Sequence, residues 1–176
     1  KANPSPGLFF CMQLILKDGT TYEGESFGAE KNVAGEVVFA TGMTGYVEAF
    51  TDPSFAGQIL VLTYPLIGNY GVPDKSTWES QKMQISGLVV ANYSDEYSHH
   101  DAVESLAEWC KASGVPAMTG ADTRAITKKL RAQGATLGQL IHSGKPGVFV
   151  DPNEENLVAK VSPKKKQTHG KGPVRR

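Results

Sequence analysis

The sequence is poor in cysteine, and it has no long hydrophobic run and no excess of charge of one sign. Its two cysteines, Cys11 and Cys110, lie 99 positions apart, which excludes a disulfide-rich framework and any Cys-x-x-Cys metal or redox site. The apolar stretch at residues 59–62 is far shorter than the roughly 20 residues that span a bilayer. Basic and acidic residues number 18 each, so a global basic field for nucleic acid is absent. We therefore expect a soluble, globular protein in a reducing, cytoplasmic setting.

The charges that are present are unevenly distributed along the chain. Residues 1–123 carry 6 basic and 15 acidic side chains, whereas residues 124–176 carry 12 basic and 3 acidic ones. The stretch 162–176 holds six cations, no acid, two prolines and two glycines, and it buries too little apolar surface to offset its ordering entropy. We predict a basic linker there. A nucleic-acid-binding arm is the alternative, but it would need aromatic side chains that this stretch lacks.

The beginning of the chain also resembles the edge of a domain. Residues 1–7 mix proline, serine and asparagine without periodicity, and the apolar residues 8–12 are too few for a secretory signal. A strand pattern follows at once. We predict a flexible N-terminal extension over residues 1–11 and one domain over residues 12–161.

The first half of the chain is rich in strand signals. Leu14 and Leu16 precede Asp18-Gly19, a dipeptide that favours a hairpin with a type I′ turn. Several glycines punctuate this half, which indicates tight turns and close backbone approaches. Three further β-rich runs follow, at residues 33–39, 58–63 and 85–90.

The second half has helical signals. The string Ser98-His-His-Asp101 has a capping-box pattern, and Gly114 provides a stop for a first helix. Its apolar residues recur at helical spacing: Val103, Leu106, Ala107 and Cys110.

Two more helices are predicted further along. One runs from about Asp122 or Thr123 to Gln133, with Ile126 and Leu130 facing inward. A short third helix follows the string Asp151-Pro-Asn-Glu154, which places an N-cap, an N1 proline and an N3 glutamate in order. Strands early and helices later predict a β-rich α/β domain in which helices pack on a mainly β core.

Candidate nucleophiles and metal ligands are few. Cys110 falls on the apolar stripe of the first predicted helix, where a thiol is usually an inert hydrophobe, and Cys11 lies in the loose start. Neither stands in a Gly-x-Cys-x-Gly elbow, so no catalytic cysteine is expected. His99 and His100 are adjacent at the predicted helix start, so they would point to different sides and be exposed rather than form a metal pair.

Phosphate-binding motifs are also missing, since the sequence contains no Gly-x-x-x-x-Gly-Lys-Ser/Thr string. Arg124, Lys128 and Arg131 recur at i, i+4 and i+7, so they line one helix face. A partner's carboxylates or phosphates could dock there, although a solvated basic face is the commoner outcome. Residue spacing alone therefore identifies no active site.

Several strings taken together are more specific than any one of them. In chain order they are Leu16-Lys-Asp-Gly-Thr20, Gly35-Glu-Val-Val-Phe39, Thr41-Gly-Met-Thr-Gly-Tyr46, Thr51-Asp-Pro-Ser-Phe55, Leu62-Thr-Tyr-Pro-Leu-Ile-Gly-Asn-Tyr-Gly71 and Asp122-Thr-Arg124. This series resembles the amino-terminal domain of the carbamoyl-phosphate synthase small chain, the glutamine-hydrolysing component, over about residues 12–162. The stretch 62–71 is especially similar to the fused pyrimidine-pathway enzymes of eukaryotes.

The resemblance implies a three-layer β/β/α single domain that packs on a class I glutaminase domain and contacts the synthetase portion. In such enzymes the glutaminase domain hydrolyses glutamine through a Cys-His-Glu constellation. The synthetase portion then uses the ammonia, bicarbonate and two ATP, with Mg or Mn, to make carbamoyl phosphate. No catalytic residue, cofactor or metal ion is expected in this chain, and the basic linker would lead toward the glutaminase domain.

One substrate contact is implied for this domain. In the family, the serine of the Thr-Asp-Pro-Ser motif contacts glutamine, and that serine is Ser54 here. A loop hydroxyl suits a polar ligand, and Pro53 would fix the backbone before it. The alternative is that Ser54 only completes a turn or caps a helix.

The sequence is also compatible with other assignments. A stand-alone adaptor of the same fold, docking a synthetase without catalysis, is the alternative to a domain of an enzyme. The pathway could be that of pyrimidines or of arginine, and a transit peptide would place the protein in mitochondria instead of the cytoplasm. The connection at residues 73–84 is shorter than in the animal fused enzymes.

Overall fold

The computed structural model describes residues 11–165, so most of the predicted N-terminal extension and of the predicted basic linker lies outside the described residues. Strands make up most of the regular structure in this range. They are β1 (Cys11–Leu16), β2 (Thr21–Ser26), β3 (Val33–Ala40), β4 (Gln58–Leu62), β5 (Leu66–Ile67), β6 (Val72–Pro73), β7 (Gly87–Val89), β8 (Asn92–Tyr93), β9 (Ala102–Glu104), β10 (Ala117–Thr119) and β11 (Thr136–Ile141).

Seven of these strands close into a barrel in the order β1-β11-β3-β4-β7-β10-β2. Strands β3, β4, β7 and β10 are parallel neighbours, and the other neighbouring pairs of the barrel are antiparallel. The carboxyl ends of the four parallel strands therefore lie at one edge of the barrel. Two small sheets, β5 with β8 and β6 with β9, lie outside it.

The helices are short, and α2, α3 and α4 each begin after a residue whose side chain caps the first turn. The α-helices are α1 (Tyr46–Thr51), α2 (Leu106–Ser113), α3 (Thr123–Gln133) and α4 (Leu157–Val161). Single 3₁₀ turns occupy Pro53–Phe55, Lys75–Thr77 and Pro152–Glu154.

The period of two along the barrel strands separates two hydrophobic clusters. On β4, Ile59 and Val61 belong to a cluster with side chains from the other barrel strands, which is the barrel interior. Leu60 and Leu62 point the other way, into an outer cluster with residues of α1 and α2. Helix α3 adds Ile126 and Leu130 to the interior cluster, so it packs over one end of the barrel.

The first hairpin forms where it was predicted, but its turn is not type I′. A type I′ turn would require positive φ at Asp18, whereas glycines alone have positive φ within the described residues. Gly19 has φ 87°, and its N–H donates to the carbonyl oxygen of Leu16 at 2.9 Å. The connection is therefore a three-residue loop that ends on a glycine, because one left-handed residue is enough to close it.

The first helix begins later than predicted. Ser105, not Ser98, is its N-cap: the Ser105 hydroxyl accepts from the N–H of Glu108, whose carboxylate accepts from the N–H of Ser105. Val103 lies on β9 and is exposed. The sequence contains two equally good Ser-x-x-Asp/Glu strings, and the pairing of β9 with β6 excludes the first one from the helix.

The three β-rich runs and the second predicted helix agree with the predictions, whereas the third helix starts later than predicted. The β-rich runs are confirmed as β3, β4 and β7, and α3 has the predicted bounds, with Asp122 as its N-cap. Asp151 caps only a 3₁₀ turn, and α4 follows as a separate helix capped by Asn156. The β-rich α/β class is thus confirmed, while the three-layer arrangement stays a prediction.

Among residues 11–165, no helix is both long enough and apolar enough to cross a membrane.

Candidate functional site

Ser54 lies in the 3₁₀ turn that follows α1, within residues 45–55, which we call the Ser54 segment. The backbone N–H of Ser54 donates to Asp52 Oδ1 at 2.8 Å, so Asp52 caps the turn. The Ser54 side chain is exposed, and its hydroxyl has no hydrogen-bond partner within the described part of the chain. The capping role that Ser54 could have had therefore belongs to Asp52, and the serine hydroxyl stays available.

The beginning of the Ser54 segment is fixed by two tyrosines. The Tyr70 hydroxyl oxygen accepts from the N–H groups of Gly45 and Tyr46, both at 3.0 Å, and the Tyr46 hydroxyl donates to the carbonyl oxygen of Gly71 at 2.6 Å. The two rings stack at 4.1 Å between centroids. Burial raises the pKa of both phenols above the usual value, so both stay protonated as neutral donors and acceptors.

The end of α1 is held from the opposite side by the loop at residues 79–84. The hydroxyl of Thr51, a fully buried residue, accepts from the N–H of Glu79 at 3.0 Å, and its carbonyl oxygen accepts from the Ser80 hydroxyl at 2.5 Å. The carbonyl oxygen of Phe50 accepts from the N–H of Gln84 at 2.7 Å. These bonds satisfy backbone groups that a helix end leaves free.

Aromatic side chains pack against the buried side of the Ser54 segment. Phe50 is fully buried and lies 5.6 Å from the ring of Tyr46 and 6.1 Å from that of Trp109. The ring of Trp109 in turn lies 4.9 Å from that of Trp78, measured between ring centroids. Ser54 is therefore presented by a segment whose neighbours are fixed by both hydrogen bonds and packing.

The three cations predicted on one helix face do lie together on α3. Arg124, Lys128 and Arg131 are exposed, and they line a cleft of about 580 Å³ at the carboxyl ends of the parallel strands. Sequence reasoning found the helix face but not the cleft. The signal available in the sequence was a threonine near the carboxyl end of each of two β-rich runs, Thr41 and Thr63.

The two cysteines occupy contrasting positions. Cys110 is fully buried in the outer cluster, as predicted, and burial raises the pKa of its thiol to about 12. Cys11 is exposed and already paired with Glu25 in β1, so it belongs to the barrel and not to a loose start. Because a thiol with a raised pKa holds little thiolate at neutral pH, Cys110 is a poor nucleophile.

The histidine pair departs from the prediction. His99 and His100 are exposed as expected, but they lie before β9 and not at a helix start, and their rings stack at 4.4 Å. Asp101 lies within 3.3 Å of one ring and 3.8 Å of the other. Such a trio could offer three metal ligands. His99 Nδ1 already accepts from the N–H of Asp101, so that nitrogen is not free to bind an ion in this arrangement.

Comparison with known proteins identifies the family. Residues 14–140 match the family described as "Carbamoyl-phosphate synthase small chain, CPSase domain". The chain is 52% identical over 173 residues to "Carbamoyl-phosphate synthase [ammonia], mitochondrial" of Aquarana catesbeiana, covering 92% of this chain and 12% of that protein. It is 50% identical over 177 residues to "Multifunctional protein URA2" of Saccharomyces cerevisiae, covering 85% of this chain and 8% of that protein.

A third relative is a separate small chain. The "Carbamoyl phosphate synthase arginine-specific small chain" of Saccharomyces cerevisiae is 49% identical over 166 residues, covering 89% of this chain and 39% of that protein. The chain thus spans well under half the length of these relatives. The expected family is confirmed, and the chain belongs to the carbamoyl-phosphate synthase small chain family, whose CPSase domain occupies residues 14–140.

Proposed function

We propose that this chain is the non-catalytic N-terminal domain of a glutamine-dependent carbamoyl-phosphate synthase. It packs on a class I glutaminase domain and on the synthetase portion, and it contributes Ser54 to the glutamine site. The whole enzyme makes carbamoyl phosphate from glutamine, bicarbonate and two ATP, and the ATP and Mg or Mn are bound by the synthetase portion. Membership of the family supports this assignment.

The observation that carries the Ser54 role is an exposed hydroxyl, without a partner in the described residues, on a firmly held turn. A serine hydroxyl can donate one hydrogen bond and accept others, so it suits the amide, amino or carboxylate groups of glutamine. Because Asp52 fixes the turn through the Ser54 backbone, the hydroxyl can meet a ligand without unmaking an internal bond. Such preorganisation lowers the cost of binding.

This domain positions substrate and does not transform it. The Cys110 thiol is buried and its pKa is raised. Within the described residues, no histidine is hydrogen-bonded to Cys11 to act as its base. We therefore propose that the 176-residue chain alone neither releases glutamate from glutamine nor consumes ATP. Turnover that persists in the Cys11→Ala, Cys110→Ala double variant would contradict this.

The test of Ser54 needs the whole enzyme and two nitrogen donors. In Ser54→Ala the KM for glutamine should rise up to about tenfold, since one hydrogen bond contributes about 1–1.5 kcal/mol. Ser54→Phe should raise it further by filling the site. Synthesis from ammonium should stay intact in both variants, because free ammonia does not need the glutamine site.

Ser76 provides a matched control. It is exposed in a 3₁₀ turn of the same type, in which Asp74 Oδ1 accepts from the Ser76 N–H at 2.7 Å. Ser76→Ala should leave both donors unaffected. Equal losses with glutamine and ammonium in Ser54→Ala, following a fall in thermal stability, would overturn the proposed contact.

A relative's name supports a second candidate. One relative of 52% identity is named for ammonia, whereas another of 49% identity is an arginine-specific small chain, so similarity supports an ammonia-dependent parent as well. In that case the whole enzyme would use ammonium alone, and Ser54→Ala would change nothing. We propose a cytoplasmic location; import of the full-length protein into mitochondria would identify the alternative that the first relative's name suggests.

A further inference from the structure

The cleft beside α3 has the position at which parallel sheets commonly bind ligands. Its walls include residues just beyond the ends of the parallel strands: Thr41 and Thr63 directly follow β3 and β4, and Ala91 and Ala121 lie two residues beyond β7 and β10. Ligands of sheets with parallel strands generally bind beyond the carboxyl ends of those strands. A volume of about 580 Å³ falls in the range of small-molecule sites.

The charge around this cleft is positive and unpaired. Arg124, Lys128 and Arg131 line it, and none of them takes part in an ion pair within residues 11–165. The one carboxylate in the lining, that of Asp122, is used as the cap of α3. By contrast, Lys129 on the next face of the helix is neutralised by Asp18 at 2.5 Å. The three cations of the cleft therefore have no ion-pair partner among residues 11–165.

Thr127 supplies a second and independent sign of a ligand. It lines the same cleft and is only 7% exposed, yet its hydroxyl has no hydrogen-bond partner among the described residues. A threonine inside a helix usually donates to the carbonyl oxygen four residues earlier, and a buried hydroxyl left without a partner is unfavourable. An acceptor oxygen that reached this hydroxyl from the cleft would satisfy it.

Arg131 is partly oriented before any ligand binds. Its guanidinium carbon lies 5.6 Å above the centre of the Phe39 ring. Such a contact holds the planar group by cation–π attraction and leaves its N–H donors free. A guanidinium so placed can form two parallel hydrogen bonds with a single oxyanion.

We propose that this cleft binds the phosphate group of a small molecule. Three cations and a hydroxyl surround one space, and the tetrahedral phosphate offers oxygens in several directions, whereas a carboxylate offers two in one plane. The cleft is larger than one phosphate, so a phosphate ester fits it better than the free ion does. The inference goes beyond the proposed function and does not depend on it, because Ser54 is not among the lining residues.

The test titrates the 176-residue chain with inorganic phosphate, ATP and acetate at constant ionic strength, and follows backbone amide shifts by NMR. Phosphate and ATP should cause saturable shifts centred on α3, and acetate should not. Tighter binding of ATP than of inorganic phosphate would identify an ester as the ligand, and equal affinities would identify free phosphate. Constant ionic strength is needed because exposed charges are screened by salt.

Three variants and one control make the result specific. Arg124→Gln and Lys128→Gln should each weaken phosphate binding about tenfold, as expected for a charge-assisted hydrogen bond. Thr127→Val should also weaken it several-fold without lowering the thermal stability, since the hydroxyl has no internal partner to lose. Lys145→Gln, an exposed cation outside the cleft, should change nothing.

Shifts that do not saturate, equal binding of acetate, or an equal loss in Lys145→Gln would overturn the phosphate site. If Thr127→Val binds phosphate as tightly as the original chain, the Thr127 hydroxyl does not contact the ligand. None of these results would affect the glutamine kinetics of Ser54→Ala, so the two proposals fail separately.

Discussion

The Ser54 segment and helix α3 both present polar side chains to solvent, but they are held in place differently. Helix α3 carries its own signals: the Asp122 carboxylate accepts from the N–H of Ala125, the helix ends at Gly134, and Ile126 and Leu130 bury its inner face. Neighbouring residues in the sequence supply most of what this helix needs.

The Ser54 segment depends on residues far away in the sequence. Its helix has six residues, and Gly45 at its start makes no side-chain capping bond. Tyr70 satisfies the first N–H groups instead, and Glu79 and Ser80 bind the last turn. Because so short a helix is marginal by itself, its geometry comes from the tertiary structure. Distant substitutions should therefore disturb Ser54, whereas α3 should respond mainly to local ones.

The largest effect is expected from Phe50→Ala, which empties the buried site below the Ser54 segment. The free energy of unfolding should fall by about 3–5 kcal/mol, as for other buried phenylalanines. Urea denaturation measures this loss. Ile126→Ala, with an expected cost of about 2–5 kcal/mol, is the counterpart in α3.

Hydrogen exchange then separates the two regions. Amides of the Ser54 segment should lose protection in Phe50→Ala more than in Ile126→Ala. Equal changes in both variants would show that the two regions unfold as one unit, and would contradict the separate stabilisation of the Ser54 segment.

Tyr70→Phe should have the next largest effect. It removes the oxygen that accepts from the N–H groups of Gly45 and Tyr46, and the free energy of unfolding should fall by about 1–3 kcal/mol. Tyr97→Phe serves as the control, because Tyr97 is 39% exposed and its hydroxyl has no described hydrogen bond. An unchanged stability in Tyr70→Phe would show that water replaces the lost acceptor.

The Asp18–Lys129 ion pair ties α3 to the first hairpin and predicts a small pH effect. Hydrogen bonds from Lys129 and Thr20 lower the pKa of Asp18 from 3.8 to about 2. A lowered pKa means that this stabilisation is complete above about pH 4 and is lost as the pH falls through about 2. The difference in stability between the original chain and Asp18→Asn should shrink over that window. A constant difference from pH 7 to pH 2 would contradict the pairing.

The smallest effect is expected for Ser54→Ala in the isolated chain. The Ser54 hydroxyl makes no bond within the described residues, so the free energy of unfolding should change by less than about 0.5 kcal/mol. Thermal denaturation is sufficient to check this. A loss above about 1 kcal/mol would indicate a structural role for the hydroxyl and would weaken the glutamine assignment.

The same contrast explains how much of the molecule is predictable from its sequence. The bounds of α3 follow from Asp122, the apolar spacing and Gly134, which are all local. The start of α2 does not, since Ser98 and Ser105 have similar patterns and only the pairing of β6 with β9 decides between them. The turn at Gly19 shows the same limit, because a dipeptide does not fix the loop length.

The candidate sites divide in the same way. The motif pointed to Ser54, and the spacing of its cations revealed the face of α3, but the cleft requires four parallel strands brought together from distant parts of the chain. Tyr70 was inside a recognised string, yet its bonds to Gly45 and Tyr46 span about 25 positions. Contacts of this range carry no signal in a single sequence.

The tryptophan pair below Phe50 has a practical consequence. Both tryptophans of the chain, Trp78 and Trp109, lie in this one place, and the cleft beside α3 has none in its lining. Intrinsic fluorescence is thus a built-in optical reporter of a single side of the molecule. The tryptophan emission spectrum should change when the packing around the Ser54 segment loosens. Phosphate binding in the cleft should leave the spectrum unchanged.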